Sequence, residues 1–138
     1  MSVVGGIDES PTSRLVVERA IQEAQWRQTD VHLVYVTYMQ AFYTEVAIDW
    51  TEILETQRAA VWSALQPTIE RAEIEVSRVD LEGYPPDTLV QYASEVEASL
   101  LVVGTRGRGE LASLILGSTS HRAIQLSECD VLVVKDAT

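Results

Sequence analysis

The feature that most constrains the fold is a series of short apolar runs, rich in β-branched residues, that alternate with segments of helical periodicity. The runs cover residues 3–7, 31–36, 74–81, 100–103 and 131–134. Strands that alternate with helices predict a parallel sheet covered by helices on both faces. Because crossover connections are right-handed, we expect a doubly wound, five-stranded α/β fold of strand order 3-2-1-4-5 in one domain, residues 1–138.

Local signals refine this outline. Ser10 before Pro11 predicts a helix N-cap with proline at the first helical position. Pro67 lies inside the second helical pattern, where it should end or kink the helix. The runs at residues 100–103 and 131–134 are apolar at every position, which is typical of strands buried on both faces.

The charge and cysteine content exclude some classes of protein. The formal net charge is −11, whereas nucleic-acid-binding proteins need a basic surface, so we expect no nucleic-acid partner. A single cysteine, Cys129, rules out an intramolecular disulfide and fits a reducing compartment. No apolar run approaches the roughly 20 residues that span a bilayer, and the first residues lack the regions of a signal peptide. We expect a soluble, cytoplasmic protein with no membrane partner.

A glycine-rich stretch follows the fourth apolar run. Gly104, Gly107 and Gly109 fall within six residues, and glycine lets the backbone wrap closely around an oxyanion with its N–H groups directed inward. In a sheet of this order, ligands bind beyond the carboxyl ends of strands 1 and 4, where the strand order reverses. Asp8 ends the first run and Gly104 the fourth. This position favours an anion site over a plain surface loop.

A second phosphate-binding feature is the pair Gly117 and Ser118, which opens a helical segment. A helix N-terminus offers unpaired N–H groups and a partial positive charge, and the serine adds a hydroxyl donor. Arg106 and Arg108 supply cations beside it in an otherwise acidic chain. Neither a Walker-type P-loop nor a G-x-G-x-x-G after the first strand is present, so those two phosphate motifs are excluded.

Other residues whose side chains could take part in catalysis or binding have simpler structural interpretations. His121 could contact phosphate or simply face solvent, and His32 should face a polar neighbour or the sheet edge. Cys129 is interpreted as a small core residue. The tryptophans are interpreted as packing groups: Trp26, Trp50 and Trp62. Neither a Ser/His/Asp arrangement nor a metal-ligand cluster stands out, so no catalytic or metal-ligating residue is assigned.

Gly104-x2-Gly107, nine residues, and then Gly117-Ser118 resemble the nucleotide-binding signature of the universal stress protein family, G-x2-G-x9-G-[ST]. The resemblance extends over essentially the whole chain and is specific to the ATP-binding branch. Its flanks match at residues 6–10, 82–83, 101–109 and 129–134. It implies a Rossmann-like fold of the adenine nucleotide alpha hydrolase-like type.

The resemblance also implies roles for matching residues. Asp8 would hydrogen-bond adenine, with Gly6 lining the same pocket and Val36 contacting the base. Ribose and phosphate contacts are implied for Gly104, Arg106, Gly107, Gly117, Ser118 and Thr119. The implied cofactor is ATP, with Mg²⁺ or Mn²⁺ bridging phosphate oxygens. Glu9 and Asp130 stand where the family often has glycine and proline, and Glu9 could alter the turn beside adenine.

The function implied is that of a nucleotide-dependent switch in the stress response. No general base is evident near the phosphate site, so we expect slow ATP hydrolysis or autophosphorylation at most. Two alternatives stay open: an interaction module whose pocket takes AMP or a cyclic nucleotide or is empty, and a dedicated ATPase or phosphotransferase. The family commonly dimerises through the last strand, here Val131 to Val134. The aromatic segment from Tyr38 to Tyr43 could close over the nucleotide or contact a partner protein.

Overall fold

The computed structural model describes residues 1–38, 50–105 and 118–135. Within them the strands are β1 (Val3–Ile7), β2 (Val31–Thr37), β3 (Val76–Glu82), β4 (Leu100–Gly104) and β5 (Asp130–Val134). The helices are α1 (Thr12–Arg27), α2 (Trp50–Glu70), α3 (Pro85–Glu95) and α4 (Ser118–Leu126). The strand limits fall within about two residues of the expected runs, the usual uncertainty of such boundaries.

The strands form a parallel sheet of order β3-β2-β1-β4-β5, which confirms the predicted α/β topology. In its central strand, Val3 pairs with Val31 on one side and with Leu100 on the other. Because all the strands run in one direction, their last residues meet at one end of the sheet. We call this the carboxyl end of the sheet, and the opposite one the amino end.

Two apolar cores cover the two faces of the sheet. α1 and α2 lie on one face, where Val16 and Tyr35 belong to one buried cluster. α3 and α4 lie on the other face, where Val34, Leu89 and Ala123 belong to a second cluster. Val34 and Tyr35 are neighbours in β2 yet join different cores, because successive strand residues point to opposite faces. Helices on both faces are therefore confirmed.

The last strand is less buried than its sequence suggests. Residues 100–103 of β4 are buried, whereas residues 131–134 of β5 are half-buried. β5 is the outer strand and has a neighbour on one side, in β4. The expectation that both runs are buried on both faces is correct for β4 and wrong for β5.

The start of α1 differs from the predicted capping arrangement. The helix begins at Thr12, after Pro11, and no side chain caps it. The Ser10 amide donates to Asp8 Oδ1 at 2.8 Å, and the Ser10 carbonyl accepts from the Ser13 amide at 3.1 Å. The prediction of Ser10 as N-cap is wrong because Asp8 supplies the side-chain acceptor in this turn.

Pro67 does not end its helix, although a helix end is one of the two outcomes expected of it. α2 continues through Pro67 to Glu70. A proline inside a helix costs about 3 kcal/mol through its missing hydrogen bond and its ring clash. Residues on both sides of it offset that cost, since Leu65 and Thr68 are buried and Ile69 packs against the α1–α2 core.

The tryptophans divide into different environments. Trp62 is buried in the α1–α2 core; its Nε1 donates to Asp80 Oδ1 at 2.7 Å, and the Arg78 guanidinium lies 4.6 Å from its ring centre. Trp26 is 65% exposed, so its interpretation as a packing group is wrong. It lies outside the buried stripe of α1, whose last member is Ala24.

Hydropathy along the helices gives a separate result. No helix within residues 1–38, 50–105 and 118–135 is both long enough and apolar enough to cross a membrane.

Candidate functional site

The carboxyl end of the sheet holds the predicted site residues that the structure describes. Asp8 directly follows β1, and Gly104 is the last residue of β4, the strand beside it. In the described structure the pairing of β1 with β4 stops at Gly5 and Val102, two residues before either strand ends. β2 and β3 lie on one side of β1, and β4 and β5 lie on the other, so the strand order reverses between β1 and β4. Open α/β sheets form their ligand crevice at such a point.

Asp8 is held in a compact turn by the beginning of α1. Its Oδ1 accepts hydrogen bonds from the Ser10 amide at 2.8 Å and from Ser13 Oγ at 3.1 Å. The Asp8 amide donates to Ser13 Oγ at 2.8 Å, and that hydroxyl also lies 2.9 Å from the Asp8 carbonyl. Ser13 is buried, which fixes the turn against α1. Among the described side chains and amides, none donates to Asp8 Oδ2, so this oxygen can accept from a ligand.

Glu9, the next residue, is turned towards the sheet. The hydroxyl of Tyr35, a buried residue of β2, donates to Glu9 Oε1. The sequence suggested that Glu9 could alter this turn, but no local pattern reveals a contact between residues 26 positions apart.

Gly6 and Gly104 are required by packing within the protein. A Cβ on Gly6 would lie 2.5 Å from Leu89 Cδ2, and a Cβ on Gly104 would lie 2.9 Å from Thr12 Cγ2. Both glycines therefore allow helices to approach the sheet closely. Their place at the carboxyl end of β1 and β4 agrees with the predicted site, although packing is sufficient to explain the residue type.

The remaining predicted contacts are distributed along β2 and α4. Val36 is half-buried beside the α3–α4 core, and Thr119 lies in the first turn of α4 and is half-buried. α4 is described from Ser118 onwards, and the predicted helix over residues 118–126 is confirmed. Four predicted residues lie outside the described ranges: Arg106, Gly107, Gly109 and Gly117.

The first turns of α3 and α4 are joined by an ion pair. Arg122 Nη2 donates to Asp87 Oδ1 at 3.0 Å and to Oδ2 at 3.2 Å, and Nε approaches Oδ1 at 3.3 Å. His121 beside it is exposed. The arginine of α4 is therefore bound to a carboxylate of α3.

A different polar cluster, missed in the sequence, lies at the amino end of the sheet. His32 Nδ1 lies 2.6 Å from the Tyr92 hydroxyl, and His32 Nε2 lies 3.0 Å from Asp30 Oδ2. Ser2 Oγ donates to Asp30 Oδ1 at 2.6 Å. The prediction that His32 faces a polar neighbour is confirmed. Its partners are distant in sequence, so their identity gave no local signal.

The same cluster perturbs two acid–base groups. The hydrogen bond from Ser2, helped by the His32 ring, lowers the pKa of Asp30 below its usual value, against the opposing effect of burial. Burial, with the charges of Asp30 and Glu95, raises the pKa of Tyr92. Neither group faces the carboxyl end of the sheet.

An open groove of about 250 Å³ also lies at the amino end, between the end of α3 and the start of β5. Val90, Ala93 and Cys129 give it an apolar lining, and Glu97 and Glu128 give it negative charge. Cys129 packs against the α3–α4 core and is half-buried, in agreement with its predicted structural role. The two carboxylates disfavour a phosphorylated ligand in this groove.

Comparisons with known proteins agree with this architecture. The model of the universal stress protein family matches residues 1–135. A universal stress protein of Methanocaldococcus jannaschii is 32% identical over 93% of this chain and 78% of its own length. The chain spans about half the length of the mycobacterial relatives that it matches.

Solved structures give the same result. The universal stress protein UspA of Lactobacillus plantarum has a TM-score of 0.83 at 23% identity, with 96% of this chain and 97% of that one covered. A universal stress protein in complex with cAMP has a TM-score of 0.74 at 27% identity, with 98% and 96% covered. From the family match along nearly its full length and the shared fold, this chain belongs to the universal stress protein family.

Proposed function

We propose that this chain binds ATP at the carboxyl end of the sheet, between β1 and β4, and acts as a nucleotide-dependent switch in the stress response. The observation that carries the proposal is the Asp8 turn. It holds one carboxylate oxygen with protein donors and leaves the other available at the point where the strand order reverses. A carboxylate in that position accepts a hydrogen bond from the exocyclic amino group of adenine.

The phosphates are proposed to extend from Asp8 towards α4. This helix begins at Ser118, and its first N–H groups and partial positive charge favour phosphate. Thr119 offers a hydroxyl in the same turn. Gly104, Arg106, Gly107 and Gly117 complete the proposed contacts on the basis of the family resemblance, and Gly109 as part of the glycine-rich stretch. Gly6 and Val36 are proposed to contact the base.

A divalent cation is proposed to enter with the nucleotide. The described residues present no group of three or more side chains arranged to hold a metal ion. Mg²⁺ commonly retains waters and binds through substrate phosphates with one or two protein oxygens. ATP with Mg²⁺ or Mn²⁺ therefore fits this site, with Ser118 and Thr119 as hydroxyl donors to the complex.

A second candidate ligand is a cyclic adenine nucleotide. The solved relative at 27% identity is in complex with cAMP. The Asp8 turn would recognise the same base in either ligand, while the contacts at α4 would favour the longer phosphate chain of ATP. Binding with slow turnover at most is favoured over a dedicated ATPase, because His121 is exposed and the Asp8 carboxylate is partly used in its turn.

We further propose that the single domain is cytoplasmic and forms a homodimer through β5. Residues 131–134 are half-buried apolar residues on an outer strand, and such a strand is often covered by a partner. Mass spectrometry under non-denaturing conditions would report the dimer mass and any co-purified nucleotide together.

Isothermal calorimetry with ATP, ADP, AMP and cAMP tests the proposed ligand. We expect the highest affinity for ATP in the presence of Mg²⁺. Preference for cAMP would support the second candidate, and absence of binding by all four would refute the proposal. Phosphate release on the order of 1 per second or faster would instead indicate a true enzyme.

A further inference from the structure

We propose that Tyr35 is a positioning residue of the nucleotide site, whose hydroxyl holds the Glu9 carboxylate away from an anionic ligand. The inference rests on the proposed function and deepens it. It assigns a role in charge selectivity to a residue buried in the α1–α2 core.

The problem that Tyr35 addresses is electrostatic. Asp8 and Glu9 place two consecutive carboxylates at the end of β1, beside the crevice from which the phosphates of a nucleotide are proposed to extend towards α4. Asp8 is fixed by the Ser10 amide and Ser13. A mobile Glu9 beside it would repel phosphate, and this repulsion would be strongest in a crevice with limited solvent.

The register of the sheet explains how Tyr35 reaches Glu9. Tyr35 of β2 pairs with Ile7 of β1, two residues before Glu9, and both belong to the α1–α2 core. The tyrosine hydroxyl donates to Glu9 Oε1 and so directs this carboxylate to the α1–α2 face.

The residues proposed to contact adenine lie on the opposite face. A Cβ on Gly6 would meet Leu89 of α3, and Val36 packs beside the α3–α4 core. The bond from Tyr35 therefore separates the Glu9 charge from the side of the sheet that Gly6 and Val36 line.

The Tyr35 hydroxyl has a role beyond packing. Tyr35 is 2% exposed, and phenylalanine would occupy nearly the same volume without a buried polar group. A buried phenol needs a hydrogen-bond partner, and Glu9 provides one with a charged acceptor.

The experiment compares ATP with adenosine, which has the same base and no phosphate charge. In Tyr35→Phe we expect ATP affinity to fall about tenfold at low ionic strength, because the Glu9 carboxylate is held less firmly on the α1–α2 face and can turn towards the phosphates. Adenosine affinity should change less than about twofold, and the loss for ATP should shrink in high salt. Calorimetry at two salt concentrations measures both ligands.

Glu9 supplies the decisive second variant. If Tyr35 acts through Glu9, then adding Glu9→Gln to Tyr35→Phe should restore ATP affinity to the wild-type level, as a double-mutant cycle would show. Glu9→Gln alone should alter ATP affinity less than about twofold, since the carboxylate is already held away. If Tyr35→Phe fails to fold in thermal melts, a large gain of ATP affinity in Glu9→Gln would still contradict the positioning role.

A matched control is Tyr92→Phe, which removes a phenol hydroxyl from the amino end of the sheet, where it contacts His32. It should leave both affinities unchanged. Equal losses for ATP and adenosine in Tyr35→Phe, no rescue by Glu9→Gln, or a large gain from Glu9→Gln alone would overturn the positioning role while the proposed function stands. A wild-type protein that binds neither ligand would overturn both.

Discussion

The two ends of the sheet use polar side chains in different ways. At the amino end, Ser2, Asp30, His32 and Tyr92 contact one another. At the carboxyl end, Asp8 Oδ1 accepts hydrogen bonds within its own turn, whereas no described group donates to Asp8 Oδ2. A cluster whose members satisfy each other stabilises the fold, whereas a carboxylate held firmly but only partly paired is suited to a ligand.

The clearest way to break this comparison is a matched pair of substitutions. Asp8→Ala should weaken ATP binding about a hundredfold, because it removes the turn and a hydrogen bond to a charged acceptor, together about 2.7 kcal/mol. Asp30→Ala at the amino end should leave ATP affinity unchanged. Calorimetry on both variants measures the difference.

A third variant separates the turn from the ligand contact. Asp8→Asn retains an oxygen that can accept from the Ser10 amide and Ser13, but loses the charge. A weakening by Asp8→Asn that approaches that of Asp8→Ala would assign the effect to the ligand contact. Equal binding by Asp8→Ala and the wild type would show that Asp8 serves only the fold.

The carboxyl end also contributes to stability, at the junction of β3 and α3. Gly83 has φ of +148°, a conformation that other residues rarely adopt, and a Cβ there would overlap Thr88 Oγ1. Gly83→Ala should destabilise the protein by about 2 kcal/mol. Urea unfolding of this variant measures the loss.

Adding Thr88→Ala tests which cause dominates. If the overlap with Oγ1 is responsible, the double variant should recover most of the stability. If the backbone conformation is responsible, the loss should persist. A fully stable Gly83→Ala would show that this junction accommodates a Cβ and that neither cause applies.

The sequence predicted the sheet because periodicity and composition are local properties. The run at residues 100–103 and the start of α4 at Ser118 both carry their signals within a few residues. The helix end expected at Pro67 is absent because the tertiary packing of Leu65, Thr68 and Ile69 outweighs the low helix propensity of proline. β5 misled because its apolar run was interpreted without regard to its outer place in the predicted strand order 3-2-1-4-5.

The site was predictable in part for the same reason. Asp8 and Gly104 end neighbouring strands, so topology places them together. The contact of Tyr35 with Glu9 depends on the register of β1 with β2 and on side-chain direction, neither of which a single sequence specifies. Packing against Leu89 could not be read from Gly6 alone.

The amino end can be tested by acid unfolding. The folded-state pKa of Asp30 is lowered, chiefly by the Ser2 hydroxyl, so its contribution to stability is present above its unfolded value of 3.8 and is lost as pH falls through the folded pKa. Ser2→Ala should cost about 1 kcal/mol near neutral pH and progressively less in that acidic range.

The control for this prediction is Thr56→Ala, which removes an exposed hydroxyl that donates to the backbone carbonyl of Glu52 in α2 and not to a titrating group. Its smaller effect should not vary in the same acidic range. Urea unfolding at several pH values between about 2 and 7 covers the window. A constant cost of Ser2→Ala at every pH would contradict a role for its hydroxyl in setting the Asp30 pKa.

The smallest expected effect concerns Arg122, which joins α4 to Asp87 of α3. Both side chains are partly exposed, at 41% and 49%, so Arg122→Gln should cost about 0.5 kcal/mol of stability despite the bidentate geometry. Asp87→Asn should cost a similar amount. If the arginine remains with Asp87 when nucleotide binds, ATP affinity should change less than about twofold in either variant. A tenfold loss in Arg122→Gln alone would instead mean that Arg122 leaves Asp87 for phosphate, and that ligand binding reorganises the carboxyl end of the sheet.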